Sequence, residues 1–291
     1  GYRATDLSNA ETFSAWAADR VRYSPEIGWL AWDGKRWQKD ADGAVFRLAA
    51  EFVKLIYAWA GRANDREERK QRASWAMSCE KRDRLTALVE LAKYQSPLIV
   101  RADNLDADPY LLTCNNGTID LRSGDLRPHD PADLITRLAP VAFDPDATAP
   151  TFDAFMNRIF SGDLELIRFV QRAAGYSLTG STREHALFLC HGVGANGKST
   201  LLEALQFIAG DYSTTTPSES LLTQRDSGGI PNDIARLAGA RLVAASETGD
   251  GRRLAESRIK ALTGGDTVAA RFLHREFFEF KPQFKVWLST N

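Results

Sequence analysis

Residues 192–199 read Gly-Val-Gly-Ala-Asn-Gly-Lys-Ser, a full match to the polyphosphate-binding pattern G-x-x-x-x-G-K-[ST]. Each residue type in it has a task. The glycines let backbone N–H groups turn inward around an anion, and a helix that starts there adds its positive end. Lys198 is placed to reach β- and γ-phosphates and the Ser199 hydroxyl to ligate Mg²⁺, with Gly192, Gly194, Asn196, Gly197 and Thr200 completing the expected ATP-binding set. Cleavage needs more: a carboxylate for metal and water, and a polar group near the γ-phosphate. Arg241-Leu-Val-Ala-Ala-Ser246 is an apolar run ending in Glu247, and a carboxylate at the C-terminal tip of a strand faces the ligand crevice of an open α/β sheet. Glu247 is therefore expected to contact Mg²⁺ and polarise the attacking water. A second apolar run, Lys285–Thr290, ends in Asn291, whose amide can hold the water or sense the γ-phosphate without adding charge. Lys198, Glu247 and Asn291 form the expected catalytic group.

Between those runs, Lys260-Ala-Leu-Thr-Gly-Gly-Asp266 reads as a helix end and a glycine turn. Residues 267–280 follow as two β-rich arms around the tip Leu273-His274-Arg275-Glu276. Lys260, Arg271, His274 and Arg275 suit contacts to the phosphates and sugars of a passing single strand, whereas a plain solvated hairpin would use the same charges as gatekeepers. Residues 252–285 hold eight Lys/Arg against four Asp/Glu, a local +4 within a chain of net charge −1, so the remainder is −5. A near-neutral total argues against a protein that coats nucleic acid by bulk charge.

These groups need elements to carry them. Ala186–Cys190 is an apolar strand into the glycine loop, and 200–208 has helical periodicity, giving strand, loop, helix. Upstream, Thr5 starts a capped helix, 28–37 forms a hairpin turning at Asp33-Gly34, and 44–94 reads as helices, charged from Arg62 to Arg84. Residues 115–124 give short strands with Asn-Gly and Ser-Gly turns, and 152–178 is helical. Prolines at 128, 131, 140, 145 and 150 mark a linker. The expected organisation is a mixed α/β domain over 1–150, then an α/β, AAA+-like P-loop ATPase domain with a parallel central sheet over 151–291.

No run approaches 18 apolar residues, so no membrane span is expected. Cys79, Cys114 and Cys190 are too scattered and odd in number for a disulfide framework or zinc site, which points to reduced core cysteines in a cytoplasmic protein. A first residue that is not Met, and a last one directly after a strand, suggest a piece of a longer polypeptide.

Taken together, residues 192–200, 241–247, 260–271, 280–282 and 287–291 resemble, in order, motifs A, B, B-prime and C of the superfamily 3 helicases, most closely the phage/plasmid primase–helicase branch with its poxvirus relatives. Leu-Thr-Gly-Gly-Asp (262–266) is far more specific than the phosphate loop. Asn115–Leu121, Phe143–Ala147 and Gly175–Gly180 resemble the preceding domain of that branch. The resemblance implies a hexameric ring hydrolysing ATP between subunits, translocation on single-stranded DNA in the 3′ to 5′ direction, a B-prime hairpin in the central channel, and an associated primase domain or partner. It departs from the family in two ways. Ser246 stands where several viral relatives carry a second acid, and the family's arginine finger lies beyond motif C. Residues 1–291 alone are thus expected to bind ATP, hydrolyse it poorly and fail to unwind DNA. The motif mechanics alone support an ATPase acting on nucleic acid, and leave open a helicase loader or other AAA+ remodeller, a small-molecule kinase, or a DNA-binding module with a vestigial ATPase.

Overall fold

The computed structural model describes residues 3–222, 232–246, 254–271 and 277–290. The chain divides into two compact units, Gly1–Ala107 with Asp130–Thr136, and Asp108–His129 with Arg137–Asn291.

The first unit runs α1 (Asp6–Ala17), β1 (Val21–Ser24), β2 (Gly28–Trp32), β3 (Trp37–Lys39), α2 (Ala44–Gly61), α3 (Arg66–Cys79) and α4 (Arg82–Ala92). Thr5 caps α1, its hydroxyl accepting from the Ser8 N–H at 3.2 Å. The expected hairpin is present and turns at Asp33-Gly34: the Asp33 carboxylate accepts from the Lys35 and Arg36 N–H groups, each at 2.8 Å, and Gly34 takes φ +97°. It joins β1, which the sequence reading missed, in the antiparallel order β1-β2-β3. Phe13, Phe52, Val53, Leu88 and Leu98 centre the core. In the strongly charged α3 only Ala76 and Cys79 are buried, so most of its charge faces solvent.

The second unit opens with an antiparallel meander, β4 (Leu111–Cys114), β5 (Gly117–Asp120) and β6 (Asp125–Arg127). Its first turn is Asn115-Asn116, one residue ahead of the expected Asn-Gly turn. Gly117 belongs to the strand, where a side chain would collide with the Arg127 carbonyl. There follow α5 (Pro150–Ile159), α6 (Leu164–Leu178), β7 (Leu187–His191), α7 (Lys198–Ala209), β8 (Ser213–Pro217), α8 (Asn232–Ala235), β9 (Leu242–Ser246), α9 (Glu256–Thr263), β10 (Val268–Ala270), β11 (Phe278–Phe280) and β12 (Lys285–Thr290). β7, β12, β9 and β8 form a sheet in that order, every neighbour parallel.

Such a sheet must be covered on both faces, which is why β9 and β12 carry consecutive apolar residues, Leu242–Ala245 and Val286–Leu288, rather than alternating ones. Leu242 and Trp287 point to one side with Met156, Val170, Leu201 and Leu202 of α5, α6 and α7. Val243, Ala245, Val286 and Leu288 point to the other, with Ile234 of α8 and Leu262 of α9. Residues 268–270 and 278–280 form antiparallel β10 and β11, with Val268 opposite Phe280 and Ala270 opposite Phe278, and the expected tip Leu273–Glu276 lies outside the described residues.

The proline-rich stretch is pinned rather than free. The Trp37 indole donates to the Pro131 carbonyl at 2.9 Å and the Thr136 N–H to Asp106 at 2.8 Å, in the first unit. In the second, the Ala139 N–H donates to Thr113 and the Asn115 N–H to Val141, both at 2.8 Å. The division thus falls near residues 107 and 137, and residue 150 lies inside the second unit. The meander belongs to the second unit because Leu112, Cys114 and Ile119 are buried against Ala209, the last residue of α7, and Tyr212 just after it.

Two buried cations hold the end of the sheet opposite that loop. Arg241 donates to the carbonyls of Leu178 (2.9 Å), Leu111 (2.8 Å) and Asp108 (3.3 Å). Lys285 donates to the carbonyls of Thr179, Ser181 and Gln283. Burial, and then the neighbouring Arg241 charge, lower the Lys285 pKa to about 7. Among the described residues no helix is long and apolar enough to cross a membrane.

Candidate functional site

The parallel sheet brings the C-terminal tips of β7, β12 and β9 to one edge. The register pairs Thr290 with His191 and Ser289 with Ser246, so these tips end level with one another. The glycine loop leaves β7 here and enters α7. Gly197 precedes the helix at φ +89°, and no side chain caps the helix, so its first N–H groups are turned toward the loop. The Lys198 ammonium donates to the Gly192 carbonyl at the base of the loop, and at 3.4 Å to that of Val193. The Asn196 side chain accepts from the Lys198 N–H at 3.5 Å.

A cleft of about 910 Å³ opens over this edge, lined by residues 194–200, by Ser246, Ser289 and Thr290, and by Phe155, Arg158 and Ile159 of α5. That volume lies in the range of small-molecule sites. The described lining holds two cations, Lys198 and Arg158, and no carboxylate. Hydroxyls of Ser199, Thr200, Ser246, Ser289 and Thr290 supply most of its remaining polarity. Such a cleft accepts a polyanion. A smaller, more apolar hollow of about 650 Å³ adjoins it beside β7, lined by Phe160, Leu166, Phe169 and Leu189 among others. Burial raises the Cys190 thiol pKa there, and the Lys198 charge partly offsets it.

Of the residues expected from sequence, Gly194, Asn196, Gly197, Lys198, Ser199 and Thr200 line this one cleft, and Gly192 closes the loop's base. Glu247, His274, Arg275 and Asn291 lie outside the described residues, although Ser246 and Thr290, which immediately precede Glu247 and Asn291, line the cleft. Lys260 is exposed on α9, 4.0 Å from Glu256. Arg271 directly follows β10, exposed, with its guanidinium 4.9 Å from the centre of the Phe277 ring. Those two residues are not part of the cleft. The contribution of α5 was missed. Its signal was an i, i+3, i+4 set, Phe155, Arg158 and Ile159, which reads equally as an ordinary amphipathic face.

Residues 10–161 match the family described as "D5 N terminal like", and residues 190–291 a family of unknown function, DUF5906. "Putative helicase L207/L206" of Acanthamoeba polyphaga mimivirus is 32% identical over 193 residues, covering 65% of this chain and 20% of that protein. "Putative helicase 121R" of Invertebrate iridescent virus 3 is 27% identical over 200 residues, covering 65% and 21%. The chain spans about a fifth of the length of these relatives. The solved C-terminal region (305–718) of NrS-1 aligns over 93% of this chain and 52% of that one, with TM-score 0.45 and 10% identity, a likeness too distant to bear on function.

Proposed function

We propose, for a chain that belongs to the D5 N-terminal-like family, that it is the ATPase-bearing part of an ATP-dependent DNA helicase of superfamily 3 type, acting in replication of a phage, prophage or plasmid. The observation that carries the reading is the single cleft in which residues 194–200 meet Ser246, Ser289 and Thr290. The strand order supports it as well, since β12 lies between β7 and β9 and so aligns three tips along one edge.

In this reading the loop N–H groups and Lys198 bind the β- and γ-phosphates, the lysine exchanging its carbonyl partners for phosphate oxygens. Mg²⁺ fits the donor chemistry, because the lining offers hydroxyl oxygens, and no cluster of three or more His, Cys, Asp or Glu exists among the described residues to favour a softer ion. Ser199 and Glu247 would hold it, and when bound it neutralises charge developing on the phosphates. Glu247 orients and deprotonates the attacking water, and Asn291 fixes the γ-phosphate. Arg271, which directly follows β10, contacts single-stranded DNA together with His274, Arg275 and Lys260. Full activity belongs to a homo-oligomeric ring, for which a hexamer and an associated primase domain or partner are proposed.

The test is ATP turnover by the full-length protein with and without single-stranded DNA. Stimulation by DNA that Glu247→Gln abolishes, and that Arg271→Ala with Arg275→Ala weakens with a shallower salt dependence, supports the helicase reading; each lost phosphate contact removes about 0.7 from the log–log salt slope. Turnover indifferent to DNA would move the assignment to a loader or remodeller.

A further inference from the structure

The candidate cleft has two chemically different sides. One is the strand-tip side, where Ser246, Ser289 and Thr290 meet Lys198 and Ser199. The other is α5, which contributes Phe155 and Ile159, the two large apolar side chains of the described lining, and Arg158. Spacing of three and four residues sets these on one helical face. The face reaches the loop itself: a Cβ at Gly197 would lie 2.6 Å from Ile159 Cγ2 and 3.3 Å from Phe155 Cε2. Arg158 is exposed, and it has no ion-pair partner among the described residues.

A triphosphate has its γ-end at the strand tips, since chemistry needs the groups that follow Ser246 and Thr290. Beyond the phosphates, the large apolar side chains that the described lining offers a base are Phe155 and Ile159 of α5. We infer that α5 is the nucleoside wall of the site: Phe155 and Ile159 pack against the base, and Arg158 supplies a second cation, beside Lys198, to the phosphates nearest the ribose. The inference rests on the proposed nucleotide-binding reading and adds the residues that separate a nucleoside triphosphate from a bare polyphosphate. Phe155 and Ile159 also pack against the core that contains Met156, so this face of α5 borders the core and the cleft at once and is held in place by the former.

The experiment is equilibrium competition on the full-length protein with two probes, Mg²⁺-ATP and Mg²⁺-tripolyphosphate. Wild type binds ATP more tightly than tripolyphosphate. Phe155→Ala weakens ATP about 5- to 150-fold, the range for losing one base–aromatic stack, and leaves tripolyphosphate within about twofold. Phe155→Leu, which keeps an apolar neighbour for Gly197, gives a smaller loss for ATP alone and guards against loss of fold. Arg158→Gln weakens both probes by the same factor of about 10 or more. Phe155→Ala that leaves ATP unchanged, or lowers both probes equally, overturns the inference, because the ring would then only shape the loop. Arg158→Gln that changes neither probe, or only ATP, overturns the role given to the cation. Equal wild-type affinity for both probes removes the nucleoside wall but keeps the phosphate site, whereas no binding of either removes the underlying reading itself.

Discussion

Replacing Gly197 by alanine separates what the loop does from what the fold needs. Gly197 sits at φ +89°, where a residue with a Cβ is strained by about 1–2 kcal/mol. The new Cβ would also lie 2.6 Å from Ile159 Cγ2, closer than such atoms approach. Ile159 is β-branched and stiff about χ1, so relief requires a shift of α5 or of the loop, and overpacking of this kind costs about 1–3 kcal/mol. Keeping the loop as it is therefore costs about 2–5 kcal/mol, and the cheaper outcome is a loop that leaves its binding conformation. ATP affinity should fall at least about 30-fold. The loop is largely exposed, so the thermal midpoint should move little. Gly194→Ala is the internal control: a Cβ there meets nothing within 4 Å and its φ is not in the positive range, so binding should change by less than about threefold. Titration calorimetry with a slowly hydrolysed ATP analogue and Mg²⁺, alongside a thermal melt, reads both quantities. Near wild-type affinity in a folded Gly197→Ala protein, or equal losses at 194 and 197, would refute the argument.

Two further predictions concern the scaffold. Lys285 has a folded pKa lowered to about 7 from an ordinary 10.5, so between those values the unfolded chain holds one proton more and stability rises with pH, by about 1.4 kcal/mol per pH unit. Below about pH 7 both states are charged and that gain is absent; Lys285→Met should remove this slope in urea titrations run from pH 7 to 10, and parallel wild-type and variant profiles would contradict it. The buried Tyr212 hydroxyl accepts from the Thr113 N–H at 3.1 Å and donates to the Arg137 carbonyl at 3.3 Å. Tyr212→Phe leaves the fully buried Thr113 without that acceptor, and should lower unfolding free energy by about 1–3 kcal/mol in chemical denaturation.

The glycine loop was legible because its chemistry is local: consecutive residues, a strand before and a helix after, all of which the fold contains. β9 and β12 were legible because strands buried on both faces carry a consecutive apolar run, here Leu242–Ala245 and Val286–Leu288. What escaped depends on contacts remote in sequence. Nothing near Phe155 or Arg158 announces that α5 stands over a loop some forty residues later. Proline content signals an extended path but not what the path touches, and here residues 130–136 and 137–141 are hydrogen-bonded on different sides of the division. Arg241 and Lys285 look like strand-end surface charges, yet each is satisfied by carbonyls contributed from several segments, a pattern invisible along the chain.

The most direct measurement of the central claim is the affinity of a slowly hydrolysed ATP analogue with Mg²⁺ for the wild-type protein and for Lys198→Ala. Saturable one-to-one binding that the substitution weakens about tenfold or more, the scale of one lost charge-assisted contact, is the predicted result. Equal binding by both proteins, or none by either, would contradict it.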